Sequence, residues 1–214
     1  YKNLERFVYH VLTLAGLDKF SRDAVCTGLC EASLRGVDSH GIRLLPHYVD
    51  AALLGRKNPT PDFKFERKFP SLGHLYADNA FGHASGMMAI DYGMDLAERQ
   101  GIGFVGVSSS SHPGAMASMA LRAARKGYIA FAFTHADALI RSFGGVRPYF
   151  GTNPICFAVP RVEDEPYCLD MSCSVIPWNK LKMKRAESAS LPQGVAADKE
   201  GNETLDPQEA TSLM

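Results

Sequence analysis

Gly101-Ile102-Gly103-Phe104-Val105-Gly106 spells G-x-G-x-x-G, the letters of a dinucleotide-binding fingerprint. That fingerprint works when a strand enters the glycines and a helix leaves them, so that the helix N-terminus meets a pyrophosphate. Here the order is reversed: the helical pattern Met87–Gln100 runs in and an apolar strand runs out. Gly101 therefore reads as the left-handed glycine that ends a helix, and the other two as positions of close packing. The chain reads as an α/β protein that is not a Rossmann fold.

Working outward, helices alternate with strands. Gly82–Gln100 reads as a long helix, Ile102–Val107 as a buried strand, Ala115–Lys126 as an amphipathic helix and Tyr128–Thr134 as a second buried strand. Phe63–Phe69, Gly73–Ala77, Ile155–Val159 and Tyr167–Leu169 read as further short strands, and beyond Trp178 the chain turns polar and strand-poor. The first third is helical. Leu4, Phe7, Val8, Val11, Leu12 and Ala15 follow helical spacing up to Gly16; a second helix capped by Ser21 runs to Leu34; a third carries Leu44, Leu45, Tyr48, Val49 and Leu53 towards Gly55. Asn58-Pro59-Thr60-Pro61 marks a boundary. The expected architecture is a mixed sheet covered by helices, residues 62–214, preceded by a small N-terminal helical subdomain, residues 1–58.

Composition narrows the functional classes. With 214 residues, 46% of them hydrophobic, there is ample material for a core. Lys+Arg and Asp+Glu both number 23, so no single-sign field stands ready for nucleic acid or anionic lipid, and a small-molecule partner is expected. No apolar run approaches the ~18 residues of a membrane span, and Tyr1-Lys2-Asn3-Leu4-Glu5-Arg6 lacks the layout of a signal peptide. Five cysteines without framework spacing point to reduced thiols and a cytoplasmic protein. Cys26 and Cys30 share a helix face as buried thiols rather than zinc ligands.

Chemistry concentrates in loops that follow strands, where open α/β sheets bind ligands. Of seven histidines, two have suitable surroundings: His40 in Asp38-Ser39-His40-Gly41, and His112 in Ser108-Ser109-Ser110-Ser111-His112-Pro113-Gly114-Ala115. His135-Ala136-Asp137, Gly151-Thr152-Asn153-Pro154 and Leu169-Asp170-Met171-Ser172-Cys173-Ser174 are the other candidate loops. Together they suggest an imidazole acid/base with hydroxyl and amide donors for a carboxylate. Hydride transfer, acyl transfer and metal hydrolysis all remain open on that basis. Metal is the weakest, since no H-E-x-x-H spacing occurs. A hydrolase using His112 beside Ser108–Ser111 lacks a G-x-S-x-G elbow.

At these loops the sequence resembles the malate/L-lactate/ureidoglycolate dehydrogenase family. The matching stretches are Gly36-Val37-Asp38-Ser39-His40-Gly41 with Leu45-Pro46-His47-Tyr48, Ala77-Asp78-Asn79 with Gly82, and Gly101-Ile102-Gly103. They continue with Ser111-His112-Pro113-Gly114-Ala115, Phe143-Gly144-Gly145, Gly151-Thr152-Asn153-Pro154, and Asp170-Met171-Ser172 followed by Trp178-Asn179-Lys180. The resemblance implies NAD(P)-dependent interconversion of a 2-hydroxyacid and its 2-oxoacid, a fold unrelated to Rossmann, and a homodimer.

It further implies His112 and His40 as the catalytic imidazoles; His112, whose loop follows a strand end, is the favoured proton shuttle. Ser39, Arg43, Tyr48 and Asp137 are the expected substrate contacts. Asp170, Met171, Ser172, Cys173, Thr152, Asn153 and Lys180 are the expected cofactor contacts. Relatives commonly carry Arg where this chain has Leu44, with Arg43 one residue earlier, and an aromatic residue where it has Pro113. NAD is expected ahead of NADP, Lys180, Lys182, Lys184 and Arg185 being read as a solvated basic face rather than a 2′-phosphate clamp. Relatives extend well past the position of Met214, so the resemblance also allows a shortened member that keeps the fold or a dimerisation role without catalysis.

Overall fold

The computed structural model describes residues 1–214. Three helices open the chain: α1 (Lys2–Leu14), α2 (Lys19–Leu34) and α3 (Leu45–Leu53). They pack through Val8, Leu12, Val25, Leu29, Leu45 and Tyr48, with Phe81 closing the cluster. The cap of α2 is Asp18, whose carboxylate accepts the Ser21 N–H at 2.7 Å. Ser21 therefore stands inside the first turn, not at the cap the sequence suggested; the carboxylate of Asp18, three residues earlier, satisfies the exposed amide. Pro46 sits in the first turn of α3, where its missing N–H does no harm.

Strands β1 (Lys64–Phe69) and β2 (Leu72–Tyr76) pair antiparallel, and β2 pairs parallel with β3 (Phe104–Ser108). The crossover between the parallel pair is α4 (Gly82–Gln100), as parallel pairing requires. Gly101 is left-handed (φ +77°) and its N–H bonds the Ala97 carbonyl at 2.8 Å, ending α4 as its position in the sequence predicts. Gly103 lets the strand approach α4 at the Gly93 carbonyl, whereas a side chain at Gly106 would meet nothing. α5 (Ala117–Ala124) packs Met119 against Met87 and Ala84 of α4.

The remaining elements are β4 (Ala130–Phe133), β5 (Ile140–Arg141), β6 (Pro148–Phe150), β7 (Ile155–Val159), β8 (Tyr167–Met171), α6 (Trp178–Glu187), β9 (Ala196–Ala197) and β10 (Ser212–Leu213). They form sheets of order β4-β7-β8 and β6-β5-β10-β9. The chain divides into two compact units: residues 1–132 with 157–169, and residues 133–156 with 170–214. The second has its own core of Ile176, Leu181, Leu191, Val195, Ala210 and Leu213. No helix is long and apolar enough to cross a membrane.

Two readings need correction. The continuous apolar runs in β3 and β4 suggested strands buried on both faces, but Phe104, Phe131 and Phe133 are exposed. β4 alternates between covered and exposed positions, and β3 has no buried residue at all. Arg185 is not part of a solvated basic face: its guanidinium donates to the Pro207 and Ala210 carbonyls at 2.5 Å and lies 5.5 Å from the Trp178 ring.

Candidate functional site

In the first unit, Asp38–His40 and Ile42–Leu44 are single 3-10 turns between α2 and α3. The Ser33 hydroxyl accepts the Ile42 N–H at 3.0 Å and pins the second turn to α2. A side chain at Gly41 would strike that hydroxyl. His40 is thereby held beside the loop that follows β3. Its ring stacks on that of His112, with centroids 5.4 Å apart and planes inclined by 25°. Ser39, itself buried, places its hydroxyl 2.9 Å from His40 Nδ1. Partial burial lowers the pKa of His40 below its ordinary value.

His112 is exposed, in keeping with a group that meets a ligand. Its Nδ1 lies 3.0 Å from the Tyr48 hydroxyl, and the Gly114 N–H points at the same nitrogen from 3.4 Å. Tyr48 is buried, and burial raises its pKa, so the phenol stays protonated and can donate or accept. The His112 loop is fastened to the start of α4. Gly82 N–H donates to the Ser111 hydroxyl at 3.0 Å, and that hydroxyl donates to the Ala80 carbonyl at 3.1 Å. Ser110 and Ser85 hydroxyls lie 2.5 Å apart, and Ser108 pairs with His74 Nε2 at 2.9 Å. These serines build the loop, which removes the support for a serine hydrolase centred on His112. A Cβ at Gly82 would come within 2.2 Å of the Ser111 carbonyl oxygen.

One member of the cluster was not foreseen. His83, in the first turn of α4, is fully buried, 5.0 Å from the Tyr48 ring in an edge-on arrangement. Neither ring nitrogen has a hydrogen-bond partner. Burial, with help from His112 and His40, lowers its pKa to about 3. The ring fits because residues 28 and 114 are glycines: a Cβ at either would come within 2.2 Å of it. The run of small residues around it in Gly82-His83-Ala84-Ser85-Gly86 was the available signal.

Of the other expected substrate contacts, Arg43 is exposed on its 3-10 turn in this unit, and Asp137 is exposed in the second unit. The second unit gathers most of the expected cofactor residues. The Asn153 side chain accepts the Ala136 N–H at 3.1 Å, the Cys173 N–H donates to the Thr152 carbonyl at 2.7 Å, and Cys173 Sγ lies 3.0 Å from the Asn153 carbonyl. Ser172 and Ser174 hydroxyls are 3.2 Å apart in the same turn. Asp170 and Met171 are exposed at the end of β8, and Lys180 is exposed on α6. The loops at 135–137, 151–154 and 170–174 thus meet, although they are distant in sequence. No group of three or more His, Cys, Asp or Glu side chains is arranged to hold a metal ion.

Known proteins share this sequence and this fold. Residues 1–214 match the malate/L-lactate dehydrogenase family over their full length. The chain is 33% identical over 213 residues to the ureidoglycolate dehydrogenase (NAD(+)) of Escherichia coli K12, covering 100% of this chain and 61% of that protein. It is 37% identical over 203 residues to the malate dehydrogenase of Pyrococcus abyssi, covering 95% and 56%. The crystal structure of malate dehydrogenase from Entamoeba histolytica superposes with a TM-score of 0.92 at 29% identity, covering 98% of this chain and 61% of that one. The chain therefore spans about three fifths of the length of relatives it matches from end to end. On the match over every residue, and on the fold it shares with these enzymes, the chain belongs to the malate/L-lactate dehydrogenase family.

Proposed function

We propose that the protein is a nicotinamide-dependent dehydrogenase that interconverts a 2-hydroxyacid and its 2-oxoacid. The observation that carries this reading is the stacked His40–His112 pair with the Tyr48 hydroxyl on His112 Nδ1, found in a chain of this family. NAD is the proposed cofactor, and malate, lactate and ureidoglycolate are the candidate acids, since all present a 2-hydroxycarboxylate.

In the tautomer in which Nδ1–H donates a hydrogen bond to the Tyr48 hydroxyl oxygen, Nε2 is left as the basic nitrogen of His112. Oxidation then proceeds with His112 Nε2 taking the substrate hydroxyl proton, and reduction with the same atom returning it. An imidazole can run both ways because its ordinary pKa lies near neutrality. His40, kept neutral by burial, and Ser39 are proposed to orient the substrate oxygens, with Arg43 the charged group proposed for the acid's other end; Asp137, in the second unit, is a further proposed substrate contact.

The donor chemistry of the second unit suits a nicotinamide nucleotide. The turn at 170–174 has short side chains, with its two serine hydroxyls donating within the turn and their oxygens left as acceptors, and Thr152, Asn153 and Lys180 are the further proposed contacts. When bound, the nicotinamide supplies hydride transfer at the carbon bearing the hydroxyl. The protein is proposed to act as a homodimer in the cytoplasm.

The test uses full-length protein. Saturating NAD(H) or NADP(H) should raise its Tm by binding linkage, and one of a panel of 2-hydroxyacids should reduce the nucleotide. No Tm shift with either nucleotide at millimolar concentration would overturn the proposal.

A further inference from the structure

His83 is a costly residue to bury where it is. A neutral imidazole has one N–H to donate and one lone pair to fill, yet neither nitrogen of this fully enclosed ring has a partner. An apolar side chain of similar volume would fill the space without that penalty. The accommodation is specific, since Gly28 on α2 and Gly114 beyond the histidine loop leave room for the ring edge.

What His83 touches suggests its use. Two groups face Nδ1 of His112 with opposite demands: the Tyr48 hydroxyl at 3.0 Å can accept a hydrogen bond from Nδ1–H, whereas the Gly114 amide at 3.4 Å can only donate to an unprotonated Nδ1. His83 lies against both. Its ring meets the Tyr48 ring edge-on at 5.0 Å, and it fills the space directly over the α-carbon of Gly114. Gly114 is left-handed (φ +70°), so its N–H direction depends on a conformation that the ring below helps to hold.

We infer that His83 is a positioning residue: it fixes Tyr48 and Gly114 around His112 Nδ1 and so selects which ring nitrogen of His112 carries the proton. The assignment of its effect on turnover rests on the dehydrogenase reading above; its effect on His112 does not. The charged and titratable groups around His83 are His40, His112 and Tyr48. A second positive charge there would oppose protonation of the two exposed-side imidazoles, and its low pKa keeps the ring neutral throughout the working range.

The test is imidazole ¹⁵N NMR of full-length wild-type protein and of His83→Leu, with steady-state kinetics on the same samples. Because the Tyr48 contact is the shorter of the two, wild-type His112 is expected mainly as the Nδ1–H form when neutral. His83→Leu should shift His112 towards a mixture of the two tautomers and lower kcat roughly ten- to a hundredfold, as small misplacements do, with KM changed less than about twofold. Should the leucine variant not fold, His83→Gln, which is polar and of similar reach, is read in the same way. An unchanged His112 tautomer balance in either folded variant overturns the inference whatever the activity. Absence of turnover in the wild type would instead sink the dehydrogenase reading and leave the tautomer measurement valid.

Discussion

His40 and His112 lie side by side, yet their surroundings differ. His112 is exposed and has its inner nitrogen anchored on a phenol, while His40 is mostly enclosed and bonded to its own neighbour Ser39. An anchored, accessible imidazole suits proton exchange; an enclosed one with a lowered pKa suits hydrogen bonding. His112→Ala should therefore lower kcat by ~10²–10⁴, the usual loss on removing a general acid–base, while the nucleotide-induced Tm shift persists. His40→Ala should chiefly raise KM, as loss of ground-state binding does. Near-full kcat in His112→Ala alongside inactive His40→Ala would reverse the two roles.

Among the elements, α2 offers a clean measurement. Asp18→Ala removes the acceptor for the Ser21 amide and should destabilise the protein by about 1 kcal/mol, read as a lower urea midpoint at unchanged slope; Ser21→Ala should not reproduce this through capping. The extent to which elements can be read from sequence varies in the same way. α4 is legible from end to end, because Gly82 and Gly101 punctuate a helical pattern, and the reversed glycine order correctly sets aside a Rossmann turn. β7 is legible from its apolar run. The exposure of Phe104, Phe131 and Phe133 is not, since an apolar run looks the same whether one face or two are covered. His40 and His112 could be picked out from their loops. The burial of His83 could not, because it depends on side chains missing from Gly28 and Gly114, in segments remote from it along the chain.

For the whole molecule, the enclosed histidine links stability to pH. Unfolded, His83 titrates near its ordinary 6.5, and folded, at about 3. Between those values the unfolded chain binds a proton that the native one refuses, so stability falls as pH drops from about 6.5 towards 3. The slope from this residue is at most about 1.4 kcal/mol per pH unit. Thermal unfolding at pH 7 and pH 5 should show a loss that is smaller in His83→Leu; equal losses would contradict the depressed pKa. Glu165 adds a separate effect at lower pH. Arg125, then Arg35, holds its pKa below the ordinary carboxylate value, so the links it makes at 2.7 Å to Arg125 and 2.8 Å to Arg35 are lost as pH falls through that lowered value.

The three glycines at 28, 82 and 114 have a consequence for how this protein tolerates change. Each faces a neighbour that cannot retreat: the enclosed His83 ring for two of them, the backbone of the histidine loop for the third. A saturation-mutagenesis map scored only for folded, soluble protein should show positions 28, 82 and 114 among its emptiest columns, with even alanine depleted. Position 112, exposed and free of such crowding, should accept many residues under the same score. Screened for abundance alone, variation would leave the outline of the histidine cluster marked by residues that have no side chain, and would pass over the imidazole that faces the solvent.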